Sequence, residues 1–403
     1  MGYEFKIGAV LRKYGFEVYT NGRPSKCPFC GHKHLYIDDK AGVFTCFYNG
    51  CNKTGGVKDF ALAFYGEVLG QSVNSAKEAM DLLDEDLGEN IKRWIPQNAY
   101  LESNILNPIA PVEHRNIVYK KMTEILPLKA ADENSLLERG YTKEQIKSFG
   151  YCSLPVSERD RIITARKLLE AGISLKNVGG FEMVDGVYKV ADFGFYRRKR
   201  AFGYATASDM DFVCFLVPSY DIHGNLQFFQ IAWDKRLTTR NEDEERKCIN
   251  YAKYTVFSTP KRPGGGKIKA DAGYVGYYKK NKNGIIVPDL RGKTSIPVIE
   301  GPLKTALYFE LIGRKEPCIA QVGVQNYKAL KKALIEIKNF CPELVQIDDC
   351  YDMDKFTNEN VALGSENLKK VCEELGLRYH MRKWDSKYKG IDDYAFAWKR
   401  KNQ

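Results

Sequence analysis

The sequence predicts a multidomain α/β protein with an N-terminal four-cysteine zinc ribbon, a mixed α+β basic region and a C-terminal α/β domain with a mainly parallel sheet. Two close cysteine pairs near the N-terminus have the spacing of a tetrahedral metal site. From residue 286 onward, strand and helix patterns alternate, as in a parallel sheet covered by helices. We expect a zinc ribbon at 1–70, a helical linker at 71–111, the basic region at 112–285 and the α/β domain at 286–403.

The composition of the chain is that of a globular protein. Hydrophobic residues make up 44% of the 403 residues, yet no apolar run reaches the roughly 20 residues that cross a bilayer. The N-terminus lacks the apolar core of a signal peptide, and the odd count of 11 cysteines favours reduced thiols over a disulfide framework. We therefore expect a cytoplasmic protein without a membrane partner. The net charge of +11 favours a polyanionic partner.

The cysteine pairs are Cys27 with Cys30 and Cys46 with Cys51. Two residues separate the members of the first pair and four separate those of the second, so each pair can supply two thiolates from a tight turn. A zinc ion with four protein ligands keeps no open position for water, so we expect the ion to be structural. Four structural thiols without metal are the alternative.

Histidines, lysines and aromatic residues surround these cysteines. His32 and His34 stand beside the first pair and compete with it as ligands. The lysines and aromatic residues are Lys33, Lys40, Lys53, Lys58, Phe44, Phe47 and Tyr48. Because lysines contact phosphates and aromatic rings stack on unpaired bases, this composition predicts a surface for single-stranded nucleic acid. Core packing is the alternative for the aromatic residues, above all for Phe44.

Two acidic motifs lie in the C-terminal domain. Glu300 ends an apolar strand and precedes Gly301, while Asp352 and Asp354 lie two residues apart after a later strand. Open α/β sheets bind ligands at the carboxyl ends of their strands. Carboxylates at that edge suit Mg²⁺ or Mn²⁺, and such ions can activate a 3′-hydroxyl and neutralise a triphosphate. An acidic surface loop is the alternative.

Further acidic residues flank these motifs. Asp348 and Asp349 make the segment before Asp352 rich in acids, and the sequence leaves open whether they join the metal site. Asp392 follows Lys389-Gly390-Ile391 and is either a further metal ligand or the N-cap of a helix.

Basic residues cluster in the middle of the chain and alternate with tyrosines, which indicates a surface that follows a phosphate backbone. The candidate contacts there are Arg197, Arg198, Arg200, Arg236, Lys253 and Lys261. The alternative is a solvated face that the acids at 242–245 neutralise in part. The glycine run before Lys267 lacks the other residues of a P-loop, so we expect no ATPase motor in this chain.

Together these motifs resemble those of bacterial-type DNA primases over most of the chain. The segment from Cys27-Pro28-Phe29-Cys30 through Asp59-Phe60 is similar to the zinc-binding domain of primases. Phe215-Leu216-Val217-Pro218, with Lys253-Tyr254 and Ser258 further on, is similar to the basic subdomain of their catalytic core. Val298 to Gly301, with Asp352-Met353-Asp354, resembles a Toprim domain, most closely that of Toprim-like proteins from phages, plasmids and conjugative elements.

This resemblance implies a primase-type nucleotidyltransferase that makes short RNA primers on single-stranded DNA from nucleoside triphosphates. It implies that Glu300, Asp352 and Asp354 hold the catalytic Mg²⁺ or Mn²⁺ and that Lys304 contacts phosphate. Because the chain carries no helicase motif, we expect a helicase or another replication protein to act in trans. A Toprim nuclease and a non-catalytic zinc and Toprim DNA-binding protein are the alternatives.

Overall fold

The computed structural model describes residues 7–19, 23–39, 42–48, 50–51, 53–73, 75–87, 107–239 and 251–402. The chain divides into two compact units, of which the first contains residues 1–102 and 239–251 and the second residues 103–238 and 252–403. The architecture is a mixed α/β one with a cluster of four cysteines near the N-terminus. Within the described ranges, no helix combines the length and the apolar character that a membrane span requires.

The first unit is a small three-stranded sheet covered by helices. Its elements are α1 (Ile7–Lys13), β1 (Leu35–Asp38), β2 (Val43–Cys46), β3 (Thr54–Gly56), α2 (Val57–Ala63), a π-helical turn (Phe64–Val68) and α3 (Ala76–Leu87). The strands pair antiparallel in the order β1-β2-β3, with Leu35 opposite Cys46. Phe60 and Phe64 lie in one core with Met80 of α3, a helix that falls within the predicted linker.

The second unit begins with an antiparallel sheet and its helices. The elements before residue 286 are α4 (Val112–Ile125), α5 (Ala130–Glu138), α6 (Lys143–Phe149), β4 (Cys152–Ser153), α7 (Glu158–Glu170), β5 (Phe181–Val184), β6 (Val187–Val190), α8 (Phe195–Ala201), β7 (Cys214–Tyr220), β8 (Leu226–Trp233), β9 (Tyr254–Val256), β10 (Gly273–Val275) and β11 (Tyr278–Lys280). The strand order is β4-β7-β8-β9. Every residue of β8 is buried, because Tyr119 of α4 and Leu168 of α7 lie in the same core as Phe229 and Ile231.

The rest of the second unit is a five-stranded sheet. Its elements are β12 (Ile286–Pro288), β13 (Ser295–Glu300), α9 (Pro302–Leu311), β14 (Cys318–Gln321), α10 (Tyr327–Phe340), β15 (Gln346–Asp349), a 3₁₀ turn (Met353–Phe356), α11 (Glu359–Glu374), β16 (Arg378–Met381) and α12 (Ile391–Lys401). The strand order is β10-β14-β13-β15-β16, in which β14, β13, β15 and β16 run parallel. The edge strand β10 pairs antiparallel and comes from before residue 286.

Two separate cores cover this sheet. Leu334 of α10 and Leu368 of α11 pack with Val298 and Ile347 of the strands. A second cluster holds the remaining helices, since Leu307 of α9 lies there with residues of β7, of the parallel sheet and of α12. Helix α9 therefore packs between the antiparallel and the parallel sheet, and its first turn sits at the carboxyl edge of β13.

Candidate active site

The four cysteine thiols form a compact cluster in the first unit. All four sulfur atoms lie within 4.8 Å of one another, with Cys27 Sγ 3.9 Å from Cys51 Sγ and Cys30 Sγ 3.8 Å from Cys46 Sγ. The first turn closes through a hydrogen bond from the N–H of Gly31 to the carbonyl of Cys27. Four sulfurs at about 2.3 Å from a tetrahedral zinc ion are about 3.8 Å apart, so this donor set fits zinc.

The neighbouring histidines lie outside the cluster. The ring of His32 stacks on Tyr48 with a centroid separation of 3.7 Å. Phe44 is 2% exposed and packs in the core, which is the alternative to a role at the nucleic-acid surface. Phe47 is 42% exposed, and its ring meets that of Tyr36 edge to face. Lys33 and Lys58 are exposed and Lys53 pairs with Glu67, while Lys40 lies outside the described residues.

The predicted acids meet at the carboxyl edge of the parallel sheet. Strands β13 and β15 are parallel neighbours, so Glu300, at the end of β13, lies near the turn that carries Asp352 and Asp354. Gly301 has a φ of +83°, a left-handed conformation that turns the chain from β13 directly into α9. That sharp turn brings Lys304, in the first turn of α9, to the acids.

Two lysines bridge these carboxylates. Lys304 Nζ donates to both oxygens of Asp352 at 2.6 Å, and Lys389 Nζ lies 2.7 Å from an oxygen of Asp354 and 3.8 Å from one of Asp352. Burial disfavours the charge of Lys304, but the carboxylates of Asp352, Asp392 and Glu300 together outweigh burial and raise the pKa of the amine. Burial, and then Asp352 and Asp354, raise the pKa of Glu300.

A fourth carboxylate joins this group. Asp392 is 1% exposed, and burial together with the adjacent Asp393 raises its pKa to about 6. The N-cap contact at the start of α12 comes from Asp393, whose carboxylate accepts the N–H of Gly390 at 3.3 Å. Asp392 Oδ1 and Asp354 Oδ1 are both buried without a hydrogen-bond partner, which is uncommon for buried oxygens.

The chemistry of these side chains fits a divalent cation, but their present arrangement does not. The ligands are hard carboxylate oxygens, and two of them lack a partner. Across the described ranges, however, only the cysteine cluster brings three or more ligand atoms all within 4.8 Å of one another. Lysine ammonium groups hold the carboxylates instead, so binding of a cation requires Lys304 and Lys389 to release Asp352 and Asp354.

Two basic residues from the antiparallel part of the unit face the same acids. Lys253 precedes β9. Burial, and then repulsion from the cations Arg139 and Lys304, lowers the pKa of its amine. Arg139 ends α5, and despite its burial the charges of Tyr254 and Asp392 raise its pKa. No local pattern in the sequence points to Arg139, because only the packing of α5 against α12 brings it to the acids.

That packing depends on the glycine after Arg139. Gly140 has a φ of +107°, and a Cβ atom there would lie 2.5 Å from a ring carbon of Phe396 in α12. The end of α5 can therefore approach α12 closely only with glycine at this position.

The acids just upstream of Asp352 have other partners. Asp348 accepts hydrogen bonds from Arg382 at 2.8 Å and lies 2.9 Å from His380 Nδ1. Asp349 accepts from Tyr379 Oη at 2.6 Å and pairs with Lys355 at 3.3 Å. Both carboxylates are engaged in these contacts of the sheet and its loops.

The other predicted basic residues lie in different surroundings. Arg198 is 6% exposed, stacks over Trp233 at 4.1 Å and donates to the carbonyls of Leu237 and Ala252. Arg236 pairs with Asp234 at 2.7 Å. Arg197, Arg200 and Lys261 are exposed. The described contacts of Arg198 and Arg236 are those of packing residues, while nucleic-acid contact by the whole set stays a prediction.

Comparisons with known proteins find distant likenesses. A family model described as a domain of unknown function (DUF3854) matches residues 290–401. A comparison with curated proteins finds no match. The zinc-binding and RNA polymerase domains of the Aquifex aeolicus primase are 15% identical, with a TM-score of 0.45 over 98% of this chain and 81% of that one.

Two further solved structures are similarly distant. The RNA polymerase domain of the Mycobacterium tuberculosis primase DnaG is 12% identical, with a TM-score of 0.46 over 72% of this chain and 81% of that one. The primase fragment of the bacteriophage T7 primase-helicase protein is 15% identical, with a TM-score of 0.31 over 66% of this chain and 70% of that one. At this distance, the function has to be argued from the residues of the chain itself.

Proposed function

We propose that this protein is a primase-like nucleotidyltransferase that makes short RNA primers on single-stranded DNA, in the replication of a phage or another mobile element. The observation that carries the proposal is the cluster of Glu300, Asp352, Asp354 and Asp392 ringed by cationic side chains. Acids and cations in one place suit a reaction in which a metal and a triphosphate must be held together.

The residues that would hold Mg²⁺ or Mn²⁺ are Glu300, Asp352 and Asp354, with Asp392 as a further ligand. The two unpartnered oxygens, on Asp354 and Asp392, support this assignment. A cation bound there would lower the pKa of a primer 3′-hydroxyl and neutralise charge on the triphosphate during in-line displacement.

The cations of the site have a second task once the carboxylates are released. Lys304 and Lys389 now neutralise Asp352 and Asp354, and both ammonium groups would then be free to bind phosphate oxygens. Lys253 and Arg139 come from the antiparallel part of the unit and would hold the same nucleotide. The chain thus offers four cations to a triphosphate next to the carboxylates.

The cysteine cluster supports a role on a template. A structural zinc ion there would fix the small sheet of the first unit, on which Phe47 and Tyr36 form an aromatic surface. Exposed aromatic rings beside lysines suit unpaired bases and their phosphates. We expect a helicase or another replication protein to act in trans.

A primer-synthesis assay tests the proposal. The purified chain is incubated with single-stranded DNA, four ribonucleotides of which one is labelled, and Mg²⁺ or Mn²⁺. Short labelled oligomers are expected from the wild type and from Asp185→Asn, an exposed turn residue with a φ of 51° that asparagine tolerates. Asp352→Asn should lower the yield by about 100-fold or more, because it removes a ligand charge from the site.

The other outcomes of the assay are equally informative. Degraded template that persists in Asp185→Asn and disappears in Asp352→Asn would assign the same carboxylates to a nuclease. Neither oligomers nor cleavage across several templates and both metals would contradict catalysis, and retained single-strand binding would then indicate a binding protein.

A further inference from the structure

A row of three aromatic rings, two of them exposed and one half-buried, lies on α12 and the loop before it, outside the acid site. Its members are Tyr388, Tyr394 and Trp398, which we term the aromatic row. Trp398 is 58% exposed and Tyr394 is 37% exposed. Large aromatic side chains are usually well buried, so neighbouring exposed rings of this size suggest a ligand surface.

The row begins next to a residue of the acid site. Lys389, the neighbour of Tyr388 in the chain, binds Asp354 at 2.7 Å. The ring of Tyr388 meets that of Tyr394 with centroids 5.9 Å apart. Trp398 follows Tyr394 by four residues on α12, so both project from the same side of the helix. The row therefore starts beside Asp354 and runs outward along α12.

The charge around the row is positive. Residues 383–402 contain six lysines and arginines and three aspartates. Asp385 pairs with Lys387 and Asp393 caps α12, while Asp392 is buried, so none of the three acids presents a free charge on the surface of the row. Lys387 lies 4.9 Å from the centre of the Tyr388 ring. Basic residues also follow Trp398 directly, at positions 399–401.

We propose that the aromatic row binds single-stranded nucleic acid, with bases stacked on Tyr394 and Trp398 and phosphates on the flanking cations. Sequence-independent stacking with cations between the rings is the usual chemistry of such surfaces. A protein partner fits less well, because lysine is depleted from the cores of protein interfaces and here flanks the row on both sides. The inference deepens the proposed function, on which it rests for the identity of the strand, since the row leads to the acids.

Fluorescence of Trp398 provides a direct test. The full chain is titrated, without divalent metal, with unlabelled single-stranded oligothymidylate, and the quench of tryptophan emission is compared between wild type and Trp398→Phe. The quench should be smaller in Trp398→Phe by the share that Trp398 supplies, while Trp94, Trp233 and Trp384 are present in both proteins. The difference between the two proteins isolates Trp398 from the remaining tryptophans.

Affinity gives a second readout with a matched control. Tyr394→Ala with Trp398→Ala should weaken binding of the oligomer by roughly 5- to 150-fold for each stacked base. Tyr277→Ala removes a 53% exposed ring outside the aromatic row, just after the edge strand β10, and should leave the affinity unchanged. Circular dichroism of each variant shows that the fold is intact.

Three results would overturn the inference. They are an equal quench in wild type and Trp398→Phe, an unchanged affinity in the double variant, and equal competition by a duplex of the same length, which cannot stack on the rings. Loss of self-association in the double variant, with DNA affinity intact, would assign the face to protein contacts instead. Because binding is measured without synthesis, a wild type that binds but makes no primers would contradict only the proposed function.

Discussion

Replacing Lys355 by methionine should destabilise the turn that carries Asp352 and Asp354, the acids proposed to bind metal. The ammonium group of Lys355 lies 3.3 Å from Asp349, and the two side chains are 1% and 0% exposed. Asp349 also accepts hydrogen bonds from Tyr379 Oη and from the N–H of Tyr351. Removing the lysine leaves a buried carboxylate without its counter-charge, which costs about 3–5 kcal/mol of unfolding free energy.

Two further variants serve as controls for this substitution. Lys331 pairs with Glu374 across α10 and α11, and both side chains are at least 40% exposed, so Lys331→Met should cost less than about 1 kcal/mol. Asp349→Asn combined with Lys355→Met removes both charges and should recover much of the loss, because no unpaired buried ion remains.

Urea denaturation of the four proteins measures these differences. The reasoning is refuted if Lys355→Met and Lys331→Met lose the same free energy of unfolding, or if the double variant is less stable than Lys355→Met. Either outcome would mean that the buried pair does not hold the turn that bears Asp352 and Asp354.

Three further predictions concern the rest of the framework. Cys51→Ser should abolish stoichiometric zinc binding and make the ribbon sensitive to protease, because one of the four ligands is lost. Cys372→Ser, which changes a buried cysteine outside the cluster, should keep the metal. A full zinc content in both proteins, measured by mass spectrometry, would exclude the cluster as the ligand set. Gly140→Ala should cost about 1–3 kcal/mol of unfolding free energy, because Gly140 has a positive φ and an added Cβ would clash with Phe396. Gly172→Ala, whose Cβ would meet nothing within 4 Å, should cost about 1 kcal/mol. Equal losses in urea denaturation would contradict the clash with Phe396. Lys253→Met should raise the apparent KM for ribonucleotides by about 10-fold, because one charge-assisted contact to the nucleotide is lost. Lys143→Met, which changes an exposed lysine, is the control. Identical kinetics in the two variants would place Lys253 away from the nucleotide.

Residue pattern was sufficient to predict the parts of the molecule that depend on local rules. The spacing of the four cysteines predicts a cluster, and the four sulfurs lie together as expected. Glu300 and Asp352 are expected to lie close together because the carboxyl ends of neighbouring parallel strands share an edge. In the structure, Lys304 donates a hydrogen bond to Asp352, and its charge lowers the pKa of Glu300 against the effect of burial, which raises it. Phe44 in β2 is buried, so for this residue the alternative of core packing is correct and the predicted nucleic-acid surface is not.

Residues that act through tertiary packing could not be predicted in this way. Arg139 ends an ordinary helix, and only the close contact of Gly140 with Phe396 brings it to Asp392. Arg198 lies in a run of four basic residues that suggested an exposed surface, yet helical geometry turns it onto Trp233. The roles of Asp348 and Asp349 depend on partners in β16 and in the 3₁₀ turn, which lie beyond any local pattern.

The most direct test of the central claim is the template dependence of nucleotide incorporation. The wild type is supplied with one labelled ribonucleotide at a time on homopolymeric single-stranded DNA, with Mg²⁺ or Mn²⁺ present. Labelled ATP should enter short oligomers on oligothymidylate but not on oligodeoxycytidylate, and Asp352→Asn should make no oligomers on either template. Incorporation that ignores the template, or cleavage of the template without incorporation, would contradict template-directed synthesis.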